Sequence, residues 1–378
     1  MLEAIGVDGV ERLFEAVPAE VRYPTLDLPP ALSEMELTRQ LHHLAERNQD
    51  LDHHPCFLGA GAYRHFVPAV VDSLLRRGEF YTAYTPYQAE ASQGTLATTY
   101  EYQTMIGELT GMDVSNASLY DGGSATAEAA LMAARITHRS QILLARSVHP
   151  AYRQVLRTYV QGLQLPVREI GYRPDGRIDW QEAGSALSDA SACLILQHPN
   201  FLGVLEDTGE AAELVHQRGG LLIVVVDPIA LGLFRPPGEE GADIVIGEGQ
   251  PLGTPLQFGG PYLGFMACRE RYLRQLPGRI VGLTQDREGR RGFVLTLQAR
   301  EQHIRREKAT SNICTNQALI ALAATVYLAA LGKQGLRRVA ELCFHKAHYA
   351  AQRIGSLPGF GLPFGQFFKE FAVRTPRP

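Results

Sequence analysis

The sequence predicts an α/β fold with a mainly parallel central sheet, an N-terminal helical arm and a small C-terminal α+β domain. Three observations carry this. From about residue 115, short apolar strands alternate with helices, the rhythm of a parallel sheet covered by helices. The run Leu221-Leu222-Ile223-Val224-Val225-Val226 is wholly apolar and ends in an acid, Asp227. The turn Asp121-Gly122-Gly123-Ser124-Ala125-Thr126 follows an apolar segment and opens a helical one.

Taken in order, residues 1–30 read as a helical start and an arm punctuated from Tyr23-Pro24 to Pro29-Pro30. Ser33-Glu34-Met35-Glu36 fits a capping box opening a helix to about Arg47. Residues 50–61 read as loop, 67–77 as a helix with Pro68 in its first turn, and 92–107 as a long helix. Strands are expected at 117–120, 141–145, 192–197, 221–227, 244–246 and 263–267, with helices at 125–137, 151–161 and 208–218. The Arg- and Gly-rich stretch 278–292 reads as a loop or contact surface. Helices follow at 300–308, 317–331 and 335–357, then a strand begins at 367–373. The expected division is 1–66 (arm and helices), 67–299 (large domain) and 300–378 (helical connection and an incomplete small domain).

Of the 378 residues, 45% are hydrophobic and 20% charged, as in a soluble globular protein. The net charge of −4 gives no bulk attraction to nucleic acid or anionic membrane. The five cysteines (Cys56, Cys193, Cys268, Cys314, Cys343) are odd in number and lack C-x-x-C spacing, which points to reduced thiols and a cytoplasmic location. The N-terminus lacks a basic region before an apolar run, so it is not read as a signal peptide. The apolar stretch 318–331 is too short to span a bilayer and reads as a buried helix. His42-His43 and Asp52-His53-His54 lack a partner motif, so no metal is expected. Gly59-Ala60-Gly61 follows no strand and is not a dinucleotide fingerprint.

Lysine usage bears on the chemistry. The only lysines are Lys308, Lys333, Lys346 and Lys369, against 32 arginines. After Asp227, a second apolar segment at 242–246 leads into Gly247-Glu248-Gly249-Gln250-Pro251-Leu252-Gly253. This layout resembles the pyridoxal-phosphate enzymes of the aspartate-aminotransferase fold. In them the acid pairs with the pyridine nitrogen and the second strand delivers the lysine that holds the cofactor. Here Gln250-Pro251 stands at the delivery point. Arginine-for-lysine drift explains scarce lysine, but not loss of one that the chemistry requires. The turn at Gly122, Gly123 and Ser124 suits a phosphate at a helix start, or is an ordinary glycine turn with a hydroxyl cap. His149, before Pro150, sits where this fold stacks a residue on the pyridine ring, or is a loop histidine. The expectation is a degenerate pocket of Gly122, Gly123, Ser124, His149, Asp227 and Gln250 with no covalent cofactor.

The loop Tyr84-Thr85-Pro86-Tyr87-Gln88-Ala89-Glu90-Ala91-Ser92-Gln93-Gly94 is dense in aromatic and hydrogen-bonding groups, the composition of an interface or a site, or of a turn capping the next helix. The charges of residues 300–308 alternate as on a solvated helix face.

Four blocks together resemble one family: residues 57–68, the 84–94 loop, residues 119–125, and 300–308 continuing Ala309-Thr310-Ser311-Asn312-Ile313-Cys314-Thr315. This looks like the glycine cleavage system P-protein, glycine dehydrogenase (decarboxylating). The lysine-free 247–253 segment is similar to subunit 1, the N-terminal-half subunit of the two-subunit form. The resemblance implies relatives that continue past Pro378, so a truncated chain is expected. The resemblance implies decarboxylation of glycine on pyridoxal phosphate and transfer of the aminomethyl group to the lipoyl arm of H-protein. It implies that subunit 2 carries the cofactor lysine and pairs with this chain as a two-plus-two heterotetramer. The loop residues Tyr84, Thr85, Tyr87, Gln88, Glu90, Ser92 and Gln93 are then expected at a shared catalytic cleft. The alternative is a stand-alone aminotransferase-like binding or sensor module.

Overall fold

The computed structural model describes residues 1–377 and divides into two compact units, Met1–Leu58 and Gly59–Pro378. In the first unit, α1 (Leu2–Ile5) is a single turn, and α2 (Glu34–Ala45) begins with the expected capping box between Ser33 and Glu36. None of this unit's residues is buried.

The second unit opens with α3 (Ala69–Leu75), α4 (Gly78–Tyr81) and α5 (Gln93–Thr110). Strands and helices then alternate: β1 (Val114–Ser115), α6 (Gly122–Thr137), β2 (Gln141–Ala145), α7 (Pro150–Val160), β3 (Val167–Ile170), α8 (Trp180–Ala186), β4 (Ser191–His198), α9 (Thr208–His216), β5 (Leu221–Val226), β6 (Ile244–Glu248) and β7 (Gly264–Cys268). They build a seven-stranded sheet in the order β1-β7-β6-β5-β4-β2-β3. The pairs from β3 through β6 are parallel, while β7 and β1 run antiparallel at one edge. Strands β4 and β5 are buried along almost their whole length, as for a parallel sheet covered on both faces.

Register positions the site. Val226 pairs with Gly247, so Asp227 and Glu248 leave the sheet side by side at its carboxyl edge. Ligand sites in open α/β sheets lie at that edge.

Several expected elements differ. Residues 117–120 make one isolated bridge, Leu119 to Gly264, because Ser118 takes a φ of 118° that no strand sustains. The loop expected at 278–292 is a hairpin of β8 (Ile280–Gln285) and β9 (Arg291–Thr296). Its Val281 and Leu295 pack on Leu96 of α5, and the Gln103 amide bonds both backbone groups of Val281, at 2.9 and 3.0 Å. The helix expected at 300–308 shrinks to α10 (Gln302–Arg305), since Arg306 turns to a φ of 54°. The two helices expected at 317–331 and 335–357 form α11 (Ala318–Gly355), broken at Gly332 by a φ of 62° and ψ of −178°. By length and composition α11 could cross a membrane, but Ala321, Leu322, Ala323, Ala324 and Tyr327 are buried, and it packs on α3 and α5. Residues 367–373 form no strand; Phe367 makes a lone bridge with Val204.

Candidate functional site

At the carboxyl edge, the end of β6 meets the start of α6. Asp121 caps α6, its Oδ1 accepting from Ser124 N at 2.7 Å. The Gly122 amide donates to Glu248 Oε2 at 3.0 Å, and Glu248 Oε1 accepts from Gln250 N and Leu263 N at 3.0 and 2.8 Å. A carboxylate thus sits on the partly positive N-terminus of α6, where an anion is favoured. Burial pushes the Glu248 carboxyl up to about 7, against the three amides, which lower it. Glycine is required at Gly122, because a Cβ there would lie 2.5 Å from the Tyr152 hydroxyl. It is required at Gly247 too, where a Cβ would meet Phe265 at 2.4 Å and Val226 O at 2.5 Å.

Asp227 stands at the end of β5. Its Oδ1 accepts from Ile229 N at 2.9 Å, and its Oδ2 lies 2.5 Å from Lys369 Nζ. The Lys369 side chain is only 8% exposed and Asp227 19%. The ammonium also lies 4.1 Å from the Tyr63 ring centroid and 3.5 Å from His65 Nε2. Burial, then the Lys369 charge, holds the His65 imidazole below its ordinary range.

Lys369 arrives on a segment pressed against residues 203–205. Phe368 N donates to Gly203 O at 3.2 Å, and Leu205 N to Gln366 O at 3.2 Å. Gly203, at a φ of +86°, leaves no room for a Cβ, which would fall 2.0 Å from Glu370 O. Glu370 Oε1 accepts from Ala60 N at 2.9 Å, and its carboxyl also bonds the Tyr63 hydroxyl.

His149 caps α7. Its Nδ1 accepts from Ala151 N at 3.1 Å, so Nε2–H donates to Ala60 O at 2.8 Å. Its ring stacks on Tyr152 with centroids 4.7 Å apart. His149, Tyr152, Asp227, Glu248 and Lys369 line one cavity with about 60 Å³ of room. Of the other residues expected there, Gly122 enters through its amide, while Gly123 and Ser124 are buried in the first turn of α6. Gln250 turns away, its amide donating to Thr254 O at 2.6 Å.

Pyridoxal phosphate does not fit this arrangement. Its ring nitrogen needs a free acid, and Asp227 is paired with Lys369. Its phosphate needs free amides at the helix start, and the Gly122 amide is bonded to a carboxylate. Pro251, at the point where the resemblance led to the expectation of a lysine, lines the cavity. The room left is also far below the roughly 300–1,000 Å³ of small-molecule sites.

The 84–94 loop lies elsewhere. Tyr84 and Thr85 line a second cavity of about 170 Å³ with Arg279, Asn316 and the start of α11. Tyr87 meets His303 edge-on, with centroids 5.6 Å apart, and Gln88 and Glu90 are exposed. Ser92 makes no side-chain cap on α5. Gln93 is a clamp: its amide donates to Phe293 O at 2.8 Å and accepts from Phe293 N at 2.9 Å, tying α5 to β9. Sequence reasoning missed Glu248, Lys369 and Arg279. Only the scarcity of lysine marked Lys369.

The family model described as glycine cleavage system P-protein matches residues 1–376. A relative from Thermomicrobium roseum, named probable glycine dehydrogenase (decarboxylating) subunit 1, is 58% identical over 379 residues, covering all of this chain and 85% of the relative. One of the same name from Desulfitobacterium hafniense is 54% identical, covering 99% of this chain and 84% of the relative. The inhibitor-bound crystal structure of a glycine decarboxylase (P-protein) superposes with a TM-score of 0.95 at 47% identity, over all of this chain and 85% of that one. A sphingosine-1-phosphate lyase from Burkholderia pseudomallei shares the fold alone, with a TM-score of 0.63 at 16% identity over 93% of this chain and 81% of that one. With the match running along nearly every residue described above, the chain belongs to the glycine cleavage system P-protein family.

Proposed function

We propose that this chain is the non-cofactor subunit of a glycine decarboxylase, working in the cytoplasm with a second subunit that holds pyridoxal phosphate. The Lys369–Asp227 pair carries the reading, because the acid that would serve the ring nitrogen already serves this chain's own ammonium. The relatives' name, subunit 1, supports a partner. When bound in that partner, the cofactor supplies the electron sink that decarboxylation of glycine needs. This chain's share is orientation, of the glycine carboxylate or of the lipoyl arm of H-protein at a shared cleft. The exposed 84–94 loop suits that work. Tyr84 is 90% exposed and Tyr87 51%, which leaves both rings free to meet a partner, and tyrosine is among the residues that most often anchor interfaces.

The test is Tyr87→Phe, Gln88→Ala and Glu90→Gln in the assembled complex, assayed by glycine–bicarbonate exchange with H-protein. Loss of one positioning hydrogen bond should cost on the order of 1–3 kcal/mol, or roughly ten- to a hundredfold in rate. If all three variants assemble and exchange at the wild-type rate, the loop is structural.

A further inference from the structure

The second cavity contains a buried cation and no anion. Arg279, just before β8, is 7% exposed and lines it. Among the described residues its acceptors are all neutral: Thr315 Oγ1 at 3.5 Å, Asn316 Oδ1 at 3.1 Å and Cys314 O at 2.9 Å. Its Nε is buried with no acceptor at all. A guanidinium taken out of water without a counter-charge is costly, so such sites are normally completed by an anion.

A second feature points the same way. Helix α11 opens at Ala318 onto this cavity, and Gln317 provides no side-chain cap. A helix start carries free amides and partial positive charge. Tyr84, Thr85 and Asn316 complete the polar wall.

We propose that Arg279 and the N-terminus of α11 form a carboxylate-binding site. The planar guanidinium matches a carboxylate in two parallel hydrogen bonds, which an ammonium cannot do. About 170 Å³ accommodates a small carboxylate or the end of an acidic side chain. The site carries one cation, in keeping with a single negative charge. Nothing in it depends on the partnership proposed above, and its failure would leave that partnership standing.

The test is titration of the full chain with ¹³C-acetate, followed by NMR line broadening, with chloride as the control anion. Saturable binding is expected in the wild type. Arg279→Gln should weaken it at least tenfold, and Arg279→Lys, which keeps the charge and the fold but loses the fork, should fall between. Equal binding by wild type and Arg279→Gln, or no saturable binding by the wild type, overturns the site. Repeating the titration in the complex with subunit 2 separates the two sources. Retained binding identifies a dissolved carboxylate. Lost binding, together with weaker assembly by Arg279→Gln, identifies an acidic side chain of the partner.

Discussion

At the scale of single residues, Lys369 and Asp227 make a coupled pair with a measurable energy. Removing one partner of a buried pair strands the other charge, so Lys369→Ala should lose about 3 kcal/mol of unfolding free energy in urea. Adding Asp227→Asn should return part of that loss; strictly additive effects would show the two groups to be independent. Glu248 gives a pH signature. Its carboxyl is raised from 4.5 to about 7 in the folded state, so the native protein binds the extra proton between those values. Stability attached to this group is therefore gained as pH falls from 7 toward 4.5, and lost as it rises. From pH 7.5 to 5, the wild type should gain about 2 kcal/mol relative to Glu248→Gln, since about two units of that window lie between the two values, at 1.36 kcal/mol per pKa unit. Parallel stability curves for the two proteins would disprove this. Asp227 was legible in the sequence because the strand before it is wholly apolar. Lys369 was not, because it reaches Asp227 through tertiary contacts that no local pattern encodes. Glu248 was not legible either, because the Gly122 and Leu263 amides that hold it come from other elements of the chain.

At the scale of elements, the 366–370 segment depends on Gly203. In Gly203→Ala the new Cβ would fall 2.0 Å from Glu370 O, at a φ that side chains resist. The segment should detach, at a cost on the order of 3 kcal/mol. Hydrogen exchange at the Phe368 amide, which donates to Gly203 O, should accelerate while β5 stays protected; an unchanged rate would contradict the contact described. The parallel strands and their helices were readable because long apolar runs alternate with capped helices. β3 was missed because its Val-Arg-Glu-Ile pattern at the sheet edge mixes charged and apolar residues. The β8–β9 hairpin was read as loop because its Gly and Arg content outweighs the few residues that pack on Leu96.

At the scale of the whole molecule, the proposed partnership leaves this chain one half of an enzyme. Leu37, Leu41 and Leu44 form an apolar stripe along α2, and all three are exposed, as are Phe57 and Leu58. Obligate interfaces commonly bury more than about 2,000 Å², much of it apolar. Expressed alone, the chain should self-associate; co-expressed with subunit 2, it should elute as a two-plus-two heterotetramer. A stable monomer at micromolar concentration, indifferent to subunit 2, would contradict that. The most direct measurement is borohydride reduction of the assembled complex with pyridoxal phosphate, followed by peptide mapping of both chains. The expected result is a stoichiometric label on one lysine of the partner and none on Lys308, Lys333, Lys346 or Lys369. A stoichiometric label on Lys369, accompanied by glycine decarboxylation, would show that this chain's own cavity holds the cofactor.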